Sequence, residues 1–146
     1  MVGKGGCLVE AALACPSALC LGADTNPDQL AACAANLHHA ALRQVGLLQA
    51  DAARLPFASG SVDAMVVDLP FGKRHARPKG LEAEVLAEAR RVLRPGSGRI
   101  VLMTTGKASV HKAVAEDCGW QPVSRTEVVL GGLKVWLHLI RRASNP

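Results

Sequence analysis

The residues best placed to do chemistry in this chain are Val66-Val67-Asp68-Leu69-Pro70-Phe71-Gly72. Two β-branched residues lead into an acid, then a Leu, a Pro, an aromatic and a Gly. A strand that ends this way brings a carboxylate, backbone carbonyls and a ring to one point. The carboxylate of Asp68 and the carbonyl of Leu69 are acceptors for an amine, and the Phe71 ring is a platform for a flat base.

Other candidates surround this stretch. Gly3-Lys4-Gly5-Gly6 precedes an apolar helical run from Cys7 to Leu13. Glycines ahead of a helix let backbone approach a ligand at the helix N-terminus, although a lone G-x-G equally fits a plain turn. Asp24 follows the glycines at about 20 residues, the spacing at which dinucleotide folds place a ribose-binding acid. Its alternative role is a helix cap, but Asn26 with Pro27 already fills that role and leaves Asp24 for a ligand. Asp51-Ala52 ends a further apolar run. Lys73, Arg74, Arg77 and Lys79 form a basic loop directly after the central motif. Such a loop reads equally as an exposed connection or as a phosphate contact, and its position favours the second.

The elements that must position these residues follow from periodicity. Short apolar strands are expected over residues 18–23, 45–50, 62–67 and 99–105. Helices are expected after Pro27, over 81–93 and over 108–117, with Arg94-Pro95-Gly96 as a stop. The strand over 62–67 has little alternation, as expected for a parallel strand covered on both faces. Residues 122–130 and 133–140 form two strands joined by Gly131-Gly132, a two-residue hairpin signal. Trp136 and His138 share a face of the last strand and are expected to pack. Strands alternating with helices give an α/β, doubly wound, Rossmann-like plan. Gly3, Gly5, Asp24, Asp51 and Asp68 all fall at the carboxyl ends of strands, where such folds bind ligands.

Composition narrows the classes. The 146 residues are 49% hydrophobic and 20% charged, which fits one globular domain over 1–146 and excludes a disordered chain. The net charge of +5 suits a polyanionic partner. The five cysteines form no C-x-x-C pair and no zinc spacing, so no metal site is expected; they read as reduced core thiols of an intracellular protein. No run is long enough to span a membrane, and no signal peptide is evident.

Ala53-Arg54-Leu55-Pro56-Phe57-Ala58-Ser59-Gly60-Ser61-Val62-Asp63, with Arg91-Val92-Leu93-Arg94-Pro95-Gly96 beyond it, resembles a class I S-adenosylmethionine-dependent methyltransferase. Within that class the glycine loop, Gly22-Ala23-Asp24 and Asp68-Leu69-Pro70-Phe71-Gly72-Lys73-Arg74 resemble the catalytic domain of THUMP-domain-containing RNA guanosine-N2 methyltransferases. Leu69 stands where Pro is commoner, and only its carbonyl is needed there.

The resemblance implies S-adenosyl-L-methionine as cofactor. Gly3 and Gly5 would lie against its methionine part, Asp24 would take the ribose hydroxyls, and Asp51 with Ala52 the adenine amine. Asp68, Leu69, Pro70 and Phe71 would form the catalytic motif that holds a guanine amine, with Asp68 also bordering the cofactor. Lys73, Arg74, Arg77 and Lys79 would contact RNA, either tRNA or small nuclear RNA. A small zinc-binding activator subunit and a place in the cytoplasm or nucleus are implied as well. The family pattern also has a strand and an Asp-Pro pair before the position of Met1, and a THUMP module before that. The sheet is therefore expected to lack its first central strand, as an N-terminally truncated chain would. Two other readings fit the residues: an amino-methyltransferase for adenine or a protein glutamine, and a non-catalytic binding protein of the same fold.

Overall fold

The computed structural model describes residues 1–70, 80–105 and 107–144. It forms two compact units, Met1–Arg54 and Leu55–Pro146.

The first unit runs α1 (Gly6–Ala14), β1 (Cys20–Asp24), α2 (Pro27–His39) and β2 (Val45–Gln49). β1 and β2 pair in parallel, from Cys20 opposite Val45 to Asp24 opposite Gln49. α2 starts where its sequence says it should: Asn26 Oδ1 accepts from the Asp28 amide at 2.8 Å, and Pro27 occupies the first helical position. Asp28 in the first turn and His38 and His39 in the last suit the helix dipole. Leu8 of α1 and Cys33 and Leu37 of α2 make the core, with Val2, Val9, Cys20, Leu42, Val45 and Leu47 packed around them. Gly22 permits this packing, because a Cβ there would lie 2.6 Å from Leu8 Cδ2 and 2.8 Å from Val2 Cγ2.

The second unit runs β3 (Ala64–Asp68), α3 (Leu81–Val92), β4 (Arg99–Thr104), α4 (Lys107–Ala115), β5 (Trp120–Leu130) and β6 (Leu133–Arg142). Its sheet has the order β3-β4-β6-β5. β3 and β4 are parallel, and β6 is antiparallel to both neighbours. Gly131 and Gly132 turn the β5–β6 hairpin with φ of 54° and 78°, the positive values that a tight two-residue turn demands. Ile100, Leu102 and Thr104 alternate along β4 and are buried, as are Val85, Leu86, Ala89 and Val92 of α3 and Val110 and Val114 of α4. The helical stripe and the strand alternation therefore meet on one layer. His138 is buried in β6 beside Leu102 and Arg125, and burial with the nearby Arg125 and His111 lowers its pKa. Trp136 carries the Arg125 guanidinium 5.1 Å from its ring centroid, a packing role for both residues.

Two expectations are corrected. β3 is not covered on both faces: Val66 is 65% exposed, while Val67, in register with Leu102, is buried. Among the described residues the packed face of β3 is the one Val67 shares with Leu102, and Val66 points to the other face. The cysteines are all free, but Cys7, Cys15 and Cys118 are exposed and only Cys33 is fully buried: Cys7 lies on the outer face of α1, Cys15 at its C-cap and Cys118 in the turn before β5. Among the described residues β1 pairs with β2, and β3 with β4. Among the described residues no helix is long and apolar enough to cross a membrane.

Candidate active site

In the first unit the glycine loop, the end of β1 and the end of β2 form one cluster. Gly3 has φ of 55°, and Gly5 caps α1 with φ of 88°. These left-handed values suit glycine. A Cβ on Gly5 would also collide with Cys33 Sγ, so bare backbone is what lets the loop settle on α2. The loop is tied to β1 by the acid singled out above. The Gly3 amide donates to Asp24 Oδ2 at 2.9 Å and the Asn26 amide to Oδ1 at 3.0 Å, while the Met1 ammonium lies 3.5 Å from Oδ2 and also donates to the Ala23 carbonyl. Burial raises the Asp24 pKa, but the Asn26 and Gly3 amides and the ammonium outweigh it, and the carboxyl titrates below its ordinary value. Asp24 is thus already engaged by the loop, rather than waiting for a ligand. Its oxygens keep lone pairs beyond those two amides. The Ala50 amide donates to the Asp24 carbonyl at 3.0 Å, which holds the end of β2 beside that of β1. There Asp51 turns back on itself, accepting from the Ala53 amide at 2.9 Å, with its side chain 44% exposed and Ala52 buried beside it.

In the second unit Asp68 closes β3 opposite Met103. Its side chain is accessible, yet enough protein surrounds it for desolvation to raise its pKa. Among the described residues nothing donates a hydrogen bond to this carboxylate. Leu69 is anchored: its amide donates to the Met103 carbonyl at 3.0 Å and its side chain is fully buried. Pro70 is half-buried. The strand tip therefore presents an unspent acceptor on a fixed base. Phe71 and the basic residues Lys73, Arg74, Arg77 and Lys79 lie outside the described residues.

Supporting residues that periodicity did not single out hold this half in place. Arg91 donates to Glu88 at 2.8 and 2.7 Å, to the Phe57 carbonyl at 2.8 Å and to the Leu55 carbonyl at 2.9 Å. Glu88 accepts the Leu55 amide at 2.7 Å, and its pKa is lowered first by the Arg91 hydrogen bonds. The Leu55-Pro56-Phe57 crossing is thereby clamped to α3, and Val62 is delivered to bond with Val92 just before β3. Buried Glu82 accepts from Ser109 Oγ at 2.9 Å and joins α3 to α4. The only sequence signal for these was the i, i+3 spacing of Glu88 and Arg91.

Comparison with known proteins defines the class. The chain superposes over 97% of its length on the crystal structure of TrmN from Thermus thermophilus, with a TM-score of 0.85, 24% identity and 42% of that chain covered. A methyltransferase solved with the Haloferax volcanii Trm112 methyltransferase activator matches 97% of the chain and 79% of the solved one, with a TM-score of 0.72 and 15% identity. The fold is that of the class I methyltransferases. The sequence then gives the family: residues 1–135 match the model of the RMKL-like methyltransferase domain, and this chain belongs to that family. It is 40% identical over 103 residues to the tRNA (guanine(6)-N(2))-methyltransferase THUMP3 of Bos taurus, covering 67% of this chain and 20% of the relative. It is 35% identical over 127 residues to the U6 snRNA (guanine-N(2))-methyltransferase THUMPD2 of Mus musculus, covering 86% and 23%. The chain spans about a fifth of the length of these relatives.

Proposed function

We propose that this chain is the catalytic domain of an S-adenosyl-L-methionine-dependent methyltransferase acting on the exocyclic amine of guanosine in RNA. The observation that carries the reading is Asp68, an accessible carboxylate with no hydrogen-bond donor among the described residues, on a strand tip fixed by Leu69. Its kinship with guanine-N2 methyltransferases gives that acceptor a substrate.

The first unit suits the donor. Its bare glycine backbone and the acceptors Asp24 and Asp51 match a ligand with a ribose diol and an amino-purine. When bound, S-adenosyl-L-methionine supplies a methyl group already activated on a positive sulfur. In this reading Gly3 and Gly5 lie along its methionine part, Asp24 takes the ribose and Asp51 with Ala52 the adenine.

Asp68 and the Leu69 carbonyl then hold the two hydrogens of the guanine amine. That leaves the nitrogen lone pair, otherwise delocalised into the base, free to face a methyl donor. With the donor bound, the amine held by Asp68 and Leu69 would receive the methyl group as the donor leaves as a neutral thioether, and would shed one proton. A carboxylate is a weak base for a neutral amine, so Asp68 acts first by orientation. Its raised pKa brings it nearer to accepting that proton as the bond forms. Phe71 supports the ring of the flipped base, and Lys73, Arg74, Arg77 and Lys79 meet the phosphates around it. A small zinc-binding activator subunit belongs to the same reading, supported by the Trm112 activator in the Haloferax volcanii complex, and so does an intracellular site of action, supported by kinship with RNA-modifying enzymes.

Incubation with methyl-labelled donor and separate RNA, DNA and protein pools tests the proposal. Label on RNA guanine is expected; label on adenine or glutamine, or no label with donor bound, would overturn it.

A further inference from the structure

Three arginines converge at the end of the four-stranded sheet away from Asp68. Arg90 and Arg91 lie in the last turn of α3 and Arg142 ends β6; with Ala87 and Asp117 they line a cleft of about 320 Å³. The strand register fixes its position. Arg99 opens β4 opposite Ala64 at the start of β3, whereas Asp68 sits at the far end opposite Met103. The Arg142 amide bonds to the carbonyl of Gly98, next to Arg99. A five-residue strand, roughly 15 Å, separates this rim from the Asp68 rim.

The cleft is built rather than incidental. Arg90 Nη1 lies 2.5 Å from Asp117 Oδ1, which also accepts the Gly119 amide at 2.8 Å. The Arg90 side chain lies close over Gly119, where a Cβ would meet its Nε and displace it. Arg142 Nη1 donates to the Leu93 carbonyl and, at 3.4 Å, to that of Arg91. Glu88 answers Arg91 and Asp117 answers Arg90, but among the described residues Arg142 meets no carboxylate. The cleft thus keeps an excess positive charge. Arg99 and Arg141, opposite each other in the β4–β6 register, project to the other face of the sheet and do not line the cleft. A cleft that holds two carboxylate-paired guanidinium groups and the Arg142 guanidinium in place is suited to an anion with several acceptor oxygens, and the planar fork of arginine matches phosphate. The volume admits a phosphate with its sugar.

We propose that this cleft binds a backbone phosphate of the RNA, at the rim of the sheet opposite the one that takes the guanine. The proposal rests on the RNA reading above. It adds a second contact that fixes the register of the RNA on the enzyme without reading sequence.

Binding of a fluorescent RNA stem-loop to the chain, measured over a range of salt, tests it. Ala87 is exposed on the lip of the cleft, so Ala87→Glu adds an opposing charge without removing a bond. It is expected to weaken RNA binding about 5- to 10-fold and to flatten the slope of log affinity against log salt by roughly one unit, with melting temperature and donor binding unchanged. Ala87→Lys is expected to tighten binding, and Arg142→Gln to weaken it as Ala87→Glu does while also lowering the melting temperature, because the Leu93 and Arg91 carbonyls lose their donor. Unchanged affinity and slope in both Ala87→Glu and Arg142→Gln would overturn the cleft. Inorganic phosphate shifting the Arg142 guanidinium resonance while the stem-loop leaves it unmoved would also overturn it, in favour of a free anion. A failure of the methylation reading looks different: RNA binding still responds to Ala87→Glu, but no label reaches guanine.

Discussion

Asp24 and Asp68 each close a parallel strand, and the two units treat them oppositely. Asp24 is held by the amides of Gly3 and Asn26, and although burial works against it, its pKa is lowered. Asp68 receives no donor among the described residues, and desolvation raises its pKa. The first carboxylate is spent largely on building the loop that would carry the donor. The second is held in reserve for what arrives. A carboxylate that shapes its site and one that acts on substrate can therefore be told apart by who already donates to them, although the sequence places both after short apolar strands.

The sharpest way to break that contrast is to neutralise each acid in turn. Asp68→Asn should lower the rate of methyl transfer by about 10²–10³-fold, the usual cost of one transition-state-orienting group, with melting temperature and donor affinity unchanged. Asp24→Asn should instead weaken donor binding about 10-fold and lower the melting temperature, because the loop loses its charged anchor. Equal losses of stability in the two variants would abolish the distinction.

A smaller effect isolates the loop from the acid. Gly5→Ala forces a side chain into a left-handed position against Cys33 Sγ. It should cost roughly 2–4 kcal/mol in a denaturant melt, the sum of backbone strain and overpacking. Gly6→Ala next to it, where a Cβ meets nothing within 4 Å, should be close to neutral.

The smallest effect is in pH. Orientation of the amine needs ionised Asp68, whose pKa is raised, so single-turnover transfer should decline on acidification before the ordinary carboxylate range is reached. Asp24 has a lowered folded pKa. Its contribution to stability is complete above the unfolded value and lost only as pH falls through the folded one, so melting temperature should hold over the range in which transfer falls. Coincident pH profiles for transfer and stability would contradict this assignment.

Much of the architecture was legible without coordinates, for reasons that are local. Asn26-Pro27 announces a helix start, Gly131-Gly132 a tight hairpin, and the stripe through Val85, Leu86, Ala89 and Val92 a buried helical face. Less legible was how far an apolar residue is covered. Val66 reads like Val67, yet one is exposed and the other buried, because burial depends on which face another element covers. Cys7 and Cys118 misled in the same way. The Glu88–Arg91 clamp was hidden because its partners, the backbone of Leu55 and Phe57, are more than 30 residues away in the chain.

By itself the sequence determined the order of strands and helices, the strand-end positions of Asp24, Asp51 and Asp68, and kinship with a methyltransferase family, since each depends on residue type and short-range spacing; Gly3 and Gly5, expected at a strand end, lie instead in the loop before α1. Only the tertiary structure decided that Asp24 is engaged while Asp68 meets no donor among the described residues, and that Arg90, Arg91 and Arg142 share one cleft. Those facts are distances between groups far apart in the chain. They are set by strand register and by how helices lie on the sheet, which no local pattern encodes.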